Sequence, residues 1–194
     1  MKKLAITGFS RSGTTALTDL LNIDPRISIT YEKRSFISRN PNKRRKWEAR
    51  NNALSMVKKD PIYTGDKTTR PYLERWGTLR NNTDKIIFCL RDPRDIFRSK
   101  YWKLIKEDPV EMYIELMGGL INKELDCLFI WYEDIVENVP GYINWISGYL
   151  ELDPVLDITG HNYKPVRCSA WKTKPHKEFP REVYNIMKEF GYYD

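Results

Sequence analysis

The sequence predicts an α/β fold, a three-layer sandwich around a mainly parallel sheet. Three observations carry this. Short apolar runs alternate with segments of helical periodicity. The run "KIIFCL", Lys85 to Leu90, is apolar on both alternating faces, as strands covered by helices on both sides are. A glycine-containing turn, Gly8 to Gly13, joins the first apolar run to the first helical one. At 194 residues with 41% hydrophobic side chains, the chain is expected to form a single domain, residues 1–194, with a real core.

The elements follow in order. Leu4-Ala5-Ile6 is the first strand, and Ala16, Leu17, Leu20 and Leu21 recur at helical spacing after the turn. Ile27-Ser28-Ile29 reads as a second short strand. Residues 40–59 read as a helix crowded with Lys43, Arg44, Arg45, Lys46 and Arg50. Ile62-Tyr63-Thr64 reads as a strand ended by Gly65-Asp66. After "KIIFCL", Asp92 suits an N-cap and Pro93 the first helical position, so a helix is predicted from Pro93 to Lys106. Val110 to Leu120 is predicted helical, Cys127 to Trp131 a last buried strand leading into a short helix, and Pro140 to Leu150 helical. Asp153 to Pro180 holds prolines, both histidines and several cations without periodicity, and reads as a long loop of the kind that often carries function.

Composition narrows the function. The formal net charge of +7 fits an anionic ligand or partner, and equally a solvated basic surface. No stretch has the length of a transmembrane helix, and Met1-Lys2-Lys3 leads straight into a strand without the apolar region of a signal peptide. Three cysteines, Cys89, Cys127 and Cys168, with no C-x-x-C pair, argue against a disulfide framework or a zinc site. The expectation is a soluble, cytoplasmic protein.

The turn "GFSRSGTT", Gly8 to Thr15, has the glycine spacing of a phosphate-binding loop, but Thr14 stands where such loops carry lysine. A strand-turn-helix offers unpaired backbone N–H groups and the positive end of a helix dipole, which bind an anion without side chains. Ser12, Thr14 and Thr15 add hydroxyls, and Arg11 is the loop's cation. The missing lysine disfavours a nucleoside-triphosphatase, which uses it to reach the β- and γ-phosphates.

"GFSRSGTTAL" resembles the 5′-phosphosulfate loop of sulfotransferases that use 3′-phosphoadenosine 5′-phosphosulfate (PAPS), with Arg11 as in tyrosylprotein sulfotransferases and bacterial relatives. "CLRDPRDIFRSKY", Cys89 to Tyr101, resembles the family's 3′-phosphate segment, in which an Arg and a Ser stand eight apart, as Arg91 and Ser99 do. Physics agrees, because Arg91 leaves the carboxyl end of a strand, where open α/β sheets bind ligands. A guanidinium and a hydroxyl converging there can hold one phosphate. Taken alone, Arg91 would read as an ion pair with Asp92 or Asp95. "WYEDI" is similar to a Tyr-Glu-Asp turn of the family whose role is mostly structural. The family's C-terminal Arg-Lys-Gly segment has only "VRCSAWKTK" to match it here, so Arg167, Lys172 and Lys174 are its stand-ins. The resemblance implies a P-loop NTPase-like fold, PAPS as sulfuryl donor, 3′-phosphoadenosine 5′-phosphate (PAP) as product, and no metal.

Sulfuryl transfer requires positioning, neutralisation of charge on the leaving phosphate, and removal of the acceptor's proton. Arg11 and the loop amides suit the leaving group. Two carboxylates are candidates for the base. Glu32, in "TYEKRSF", lies twenty-one residues beyond Arg11, as the base does in tyrosylprotein sulfotransferases, where Glu-x-Arg recurs as Glu32 and Arg34 do here. Asp66, in "TGDKTTRPY", resembles a Glu-Lys-Thr segment of carbohydrate sulfotransferases, which implies that Lys67 contacts the sulfate or the bridging oxygen. Glu32 is favoured. For both, a surface carboxylate paired with neighbouring cations is the plain reading.

The basic stretch Lys33 to Arg50 suits an acidic saccharide or peptide acceptor, and equally a solvated helix face. Trp47, Trp76 and Trp102 could stack on an acceptor, but core packing is their commoner use. Two other functions compete. A nucleotide kinase or NTPase predicts a lysine after Gly13 and magnesium ligands. A non-catalytic module for PAP or nucleic acid predicts binding without turnover, and charge is the only nucleic-acid signal present.

Overall fold

The computed structural model describes residues 1–31, 48, 51–52, 60–69, 73–104, 106–121, 126–153 and 178–192, with the side chains of 73–75 left aside. Five strands form one parallel sheet: β1 (Lys2–Gly8), β2 (Ile27–Tyr31), β3 (Tyr63–Lys67), β4 (Lys85–Leu90) and β5 (Leu128–Trp131), in the order β2-β3-β1-β4-β5. The described helices are α1 (Thr14–Leu21), α2 (Leu73–Asn81), α3 (Pro93–Phe97), α4 (Pro109–Ile121), α5 (Tyr132–Glu137), α6 (Val139–Tyr149) and α7 (Arg181–Glu189), with a 3-10 turn at Lys100–Leu104. None of them is long and apolar enough to cross a membrane.

Alternation along the strands explains the three layers. Leu4 and Ile6 of β1, with Ile87 and Cys89 of β4, pack with Leu17, Leu20 and Leu21 of α1 and with residues of α5 and α6. Ala5, Ile86, Phe88 and Leu90 face the other way, against Ile96, Met117, Leu120 and the α7 residues Val183, Ile186 and Met187. Both faces are therefore dry, and this is why "KIIFCL" carries no polar alternation.

β1 lies at the centre. The chain leaves it toward β2 and β3 on one side, then crosses to β4 and β5 on the other. The carboxyl ends of β1 and β4 flank this switch point, where open α/β sheets hold their ligands. β2 is an edge strand whose outward peptide groups would be open. Two asparagines close them. Asn22 exchanges both hydrogen bonds with the backbone of Ile29, at 2.8 Å each. Asn51 does the same with Tyr31, accepting from its N–H at 2.8 Å and donating to its C=O at 3.4 Å. A side-chain amide carries the same donor and acceptor as a peptide group, so each asparagine stands in for one residue of a missing strand.

Several expectations are revised. β3 does not end at Gly65-Asp66 but runs through them to Lys67, paired with β1 and β2. Gly65 permits this, because a β-carbon there would lie 1.6 Å from the carbonyl oxygen of Leu4. The helix predicted from Pro93 to Lys106 stops at Phe97. The Trp102 indole donates to the carbonyl of Ile96 at 2.7 Å, and Ser99 N–H bonds the same carbonyl, so the acceptor that would continue the helix is taken by a tighter turn. Asp92 does cap this helix, accepting from Arg94 N–H at 2.8 Å. Helices α2 and α7 were not anticipated. The helix predicted over residues 40–59 and the long loop after Asp153 lie almost wholly outside the described residues.

Gly65→Ala is expected to lower stability by about 3 kcal/mol, since no flexible side chain can yield to the added carbon. Gly148→Ala, at an exposed position of α6 with nothing within 4 Å, should raise it by about 0.5–1 kcal/mol. Urea midpoints check both, and an unchanged midpoint for Gly65→Ala would refute the packing argument.

Candidate functional site

The loop between β1 and α1 is shaped by two close approaches. A β-carbon at Gly8 would lie 2.4 Å from the carbonyl oxygen of Cys89 on β4. One at Gly13 would lie 2.2 Å from the ring of Tyr132 at the start of α5. Gly13 also has φ 96°, in the left-handed region, and as N-cap of α1 it has no side chain to bond the helix's first N–H groups. Those amides have no intrahelical partners and carry the positive end of the dipole. Beneath the loop, the Cys89 thiol donates to the Ser12 carbonyl at 2.9 Å. Burial pushes this thiol's pKa well up, so it stays protonated and acts as a donor. The Ser12 hydroxyl is buried and has no hydrogen-bond partner among the described residues. A buried orphan hydroxyl beside a row of unbonded amides fits a phosphate-type oxygen.

Arg11 sits at φ 76°, which costs a non-glycine residue about 1 kcal/mol or more. Three contacts hold it there. Its Nε donates to Ser99 Oγ at 2.9 Å, its guanidinium lies 6.0 Å from the ring centre of Tyr101, and its carbonyl accepts from Arg91 at 3.3 Å. Arg91 in turn lies 4.9 Å over the Tyr132 ring and pairs with Asp95 at 3.5 Å. The ion pair with Asp95 and the approach to the loop thus coexist. Arg11 thus meets Arg91 and Ser99, 80 and 88 residues further along the chain, at the carboxyl ends of β1 and β4. Ser99 reaches them not from within the helix predicted to run to Lys106 but from the break after α3, where its Oγ also accepts from Tyr101 N–H at 3.3 Å.

Behind Arg91, Glu133 bridges two segments. One oxygen accepts from Asp92 N–H at 3.0 Å and the other from Tyr192 O–H at 3.3 Å. Burial raises the pKa of this carboxyl, opposed by the backbone hydrogen bond from Asp92. Asp92 itself is held by Arg94 in a buried pair at 2.8 Å.

On the other side of the loop, Lys67 closes β3. It is 2% exposed, and its Nζ lies 3.4 Å from Thr15 Oγ1. A cation absent from the loop's own sequence thus arrives from the neighbouring strand, beside Thr14 and Thr15. Asp66 projects to the opposite face of the sheet, where its carboxylate accepts from Thr30 Oγ1 at 2.9 Å. Tyr31, the residue before Glu32, is fixed by Asn51 and by a hydrogen bond from its hydroxyl to Asp19. Glu32 itself, and Arg34, Arg167, Lys172 and Lys174, lie outside the described residues. Sequence reasoning missed Tyr132 as the platform under Gly13 and Arg91, and missed Cys89 as the prop of Ser12. The "WYEDI" turn was the available signal.

A profile of the sulfotransferase family matches residues 4–76. No curated protein matches the sequence. Among solved structures, the sulfotransferase domain of the Synechococcus PCC 7002 olefin synthase superposes with a TM-score of 0.65 at 15% identity, covering 99% of this chain and 95% of that one. The sulfotransferase domain from the curacin biosynthetic pathway gives 0.65 at 14%, covering 98% and 97%. Mouse sulfotransferase SULT7A1, complexed with PAP, gives 0.54 at 16%, covering 96% of this chain and 63% of its own. The matched residues carry the loop, β2, β3 and Lys67, and the fold of the sulfotransferase domains extends over nearly all the chain, so the protein is similar to the sulfotransferase family over residues 4–76 and shares the fold of its solved domains.

Proposed function

We propose that the protein transfers a sulfuryl group from PAPS to a hydroxyl or amine acceptor. The observation that carries this is the convergence of Arg11, Arg91 and Ser99 beside a phosphate-type loop with an orphaned buried hydroxyl. A nucleotide with phosphates at both the 5′ and the 3′ position gives each group a role. The loop amides and Ser12 take the 5′-phosphate, and Arg91 with Ser99 takes the 3′-phosphate. That a neighbour of similar fold was solved with PAP supports the same class of nucleotide here.

The reaction forms a bond from the acceptor oxygen or nitrogen to sulfur and breaks the bond from sulfur to the 5′-phosphate oxygen, and PAP leaves. Charge grows on that oxygen as the bond breaks. Arg11, the α1 amides and the buried Lys67 ammonium are the groups that stabilise it. The acceptor's proton passes to a carboxylate, for which Glu32 is preferred. The parallel register brings Tyr31, the residue before Glu32, level with Lys67 at the carboxyl end of the sheet, which supports that preference. Asp66 faces away from Lys67, bonded to Thr30. The acceptor is an acidic saccharide or peptide if the cations between Lys33 and Arg50 serve to recognise it.

PAP should raise the melting temperature more than ADP does, because only PAP offers a 3′-phosphate. Arg91→Ala should remove most of that difference, since losing a charge-assisted contact costs about 1.5–3 kcal/mol, or about tenfold to a hundredfold in affinity. Equal shifts with PAP and ADP in the parent protein would refute the 3′-phosphate assignment.

Glu32→Gln should lower kcat by about a hundredfold or more while PAP binding stays near that of the parent, and Asp66→Asn should do less. The check is single-turnover sulfation with PAPS across a panel of acidic saccharides and tyrosine peptides. The reverse ranking of the two variants would move the base to Asp66.

A further inference from the structure

The hydrogen bonds of Glu133 bear on how Arg91 is aimed. Glu133 lies in the first turn of α5, just after β5, and Trp131 at the end of β5 is in register with Leu90 at the end of β4. The carboxylate therefore stands beside the chain as it leaves β4. The N–H it holds at 3.0 Å belongs to the peptide plane between Arg91 and Asp92. Fixing that plane fixes the backbone torsion on the carbonyl side of Arg91, and with it the direction in which the guanidinium departs. Arg91 then meets Tyr132, Asp95 and the carbonyl of Arg11 together. The second oxygen of Glu133 holds the Tyr192 hydroxyl. Tyr192 is anchored by its own N–H to Met187 at 2.9 Å, and Phe190 nearby accepts from the Trp131 indole at 2.9 Å.

A buried carboxylate is a poor choice for stability alone, since an apolar side chain of similar size often serves as well or better. What an apolar residue cannot do is accept from two donors on separate segments at once. We propose that Glu133 is a positioning residue for the 3′-phosphate subsite, holding the Arg91–Asp92 peptide with one oxygen and Tyr192 with the other. Recognition of the 3′-phosphate then depends on the docking of the C-terminal segment after α7. This rests on the reading that Arg91 receives a 3′-phosphate.

The test is titration of the full chain with PAP and with ADP, comparing the parent with Glu133→Ala, Glu133→Gln and Tyr192→Phe. Glu133→Ala should weaken PAP about tenfold and leave ADP nearly unchanged. Glu133→Gln should keep the preference, because its amide oxygen still accepts from Asp92 N–H. Tyr192→Phe should lose about threefold toward PAP alone. A Glu133→Ala protein that melts lower but keeps the full preference would show a structural role only and overturn the proposal. So would a glutamine variant as impaired as the alanine one. If Glu133→Ala does not fold, Tyr192→Phe decides, and an unchanged preference there refutes the coupling to the C-terminus. Equal affinities for PAP and ADP in the parent would instead bring down the 3′-phosphate reading, and this inference with it.

Discussion

The site depends on how closely the ends of β1 and β4 approach one another. The backbone at Gly8 lies against the Cys89 carbonyl, and that at Gly13 lies against the Tyr132 ring, with no room for a β-carbon at either. Close packing at these two points brings the loop onto the Cys89 thiol and under Arg91. It also turns the first amides of α1 toward the mouth between the strands. A larger residue at either glycine would push the loop off its supports and separate the groups that must act together.

The electrostatics follow from this frame. Arg11, Arg91 and Lys67 gather about one loop, each delivered by a different element. Three cations so placed repel one another unless something compensates. Asp95 answers Arg91 with a side chain that is 1% exposed, and the Tyr132 and Tyr101 rings offer their negative faces to Arg91 and Arg11. The arrangement fixes positive charge in place, and for the reaction proposed above such preorganisation would spare reorganisation when negative charge develops.

Much of this was legible in the sequence, for identifiable reasons. β4 and its capped turn could be read because a strand buried on both faces has no polar alternation and an Asp-Pro start has a local mechanism. The Gly8–Thr15 loop showed in its glycine spacing, and the Arg91/Ser99 pair through the resemblance of its segment to a known family. The early end of α3 did not, because the Trp102 indole competes for the Ile96 carbonyl through a turn that no periodicity reports. α2 was hidden by Gly77 and a polar composition. α7 was legible in Val183, Ile186 and Met187, at helical spacing, but charged neighbours masked the pattern. Tyr132 and Glu133 could not be assigned from their own segment, since what they do depends on Gly13, Arg91, Asp92 and Tyr192, all distant in sequence.

The asparagine that closes the sheet's edge also joins two distant points of the chain. Asn51 holds both backbone groups of Tyr31, so the polypeptide that departs at the end of β2 is already back at the same spot twenty residues later. The two ends of that stretch are thus tied to one point of the sheet's edge. Lengthening such a loop costs only the slow logarithm of its closure entropy, about 0.6 kcal/mol for each doubling. The sheet and the Gly8–Thr15 loop are thereby insulated from changes in that stretch. A lineage could exchange it like a cassette without rebuilding the loop, the sheet or the cations around that loop.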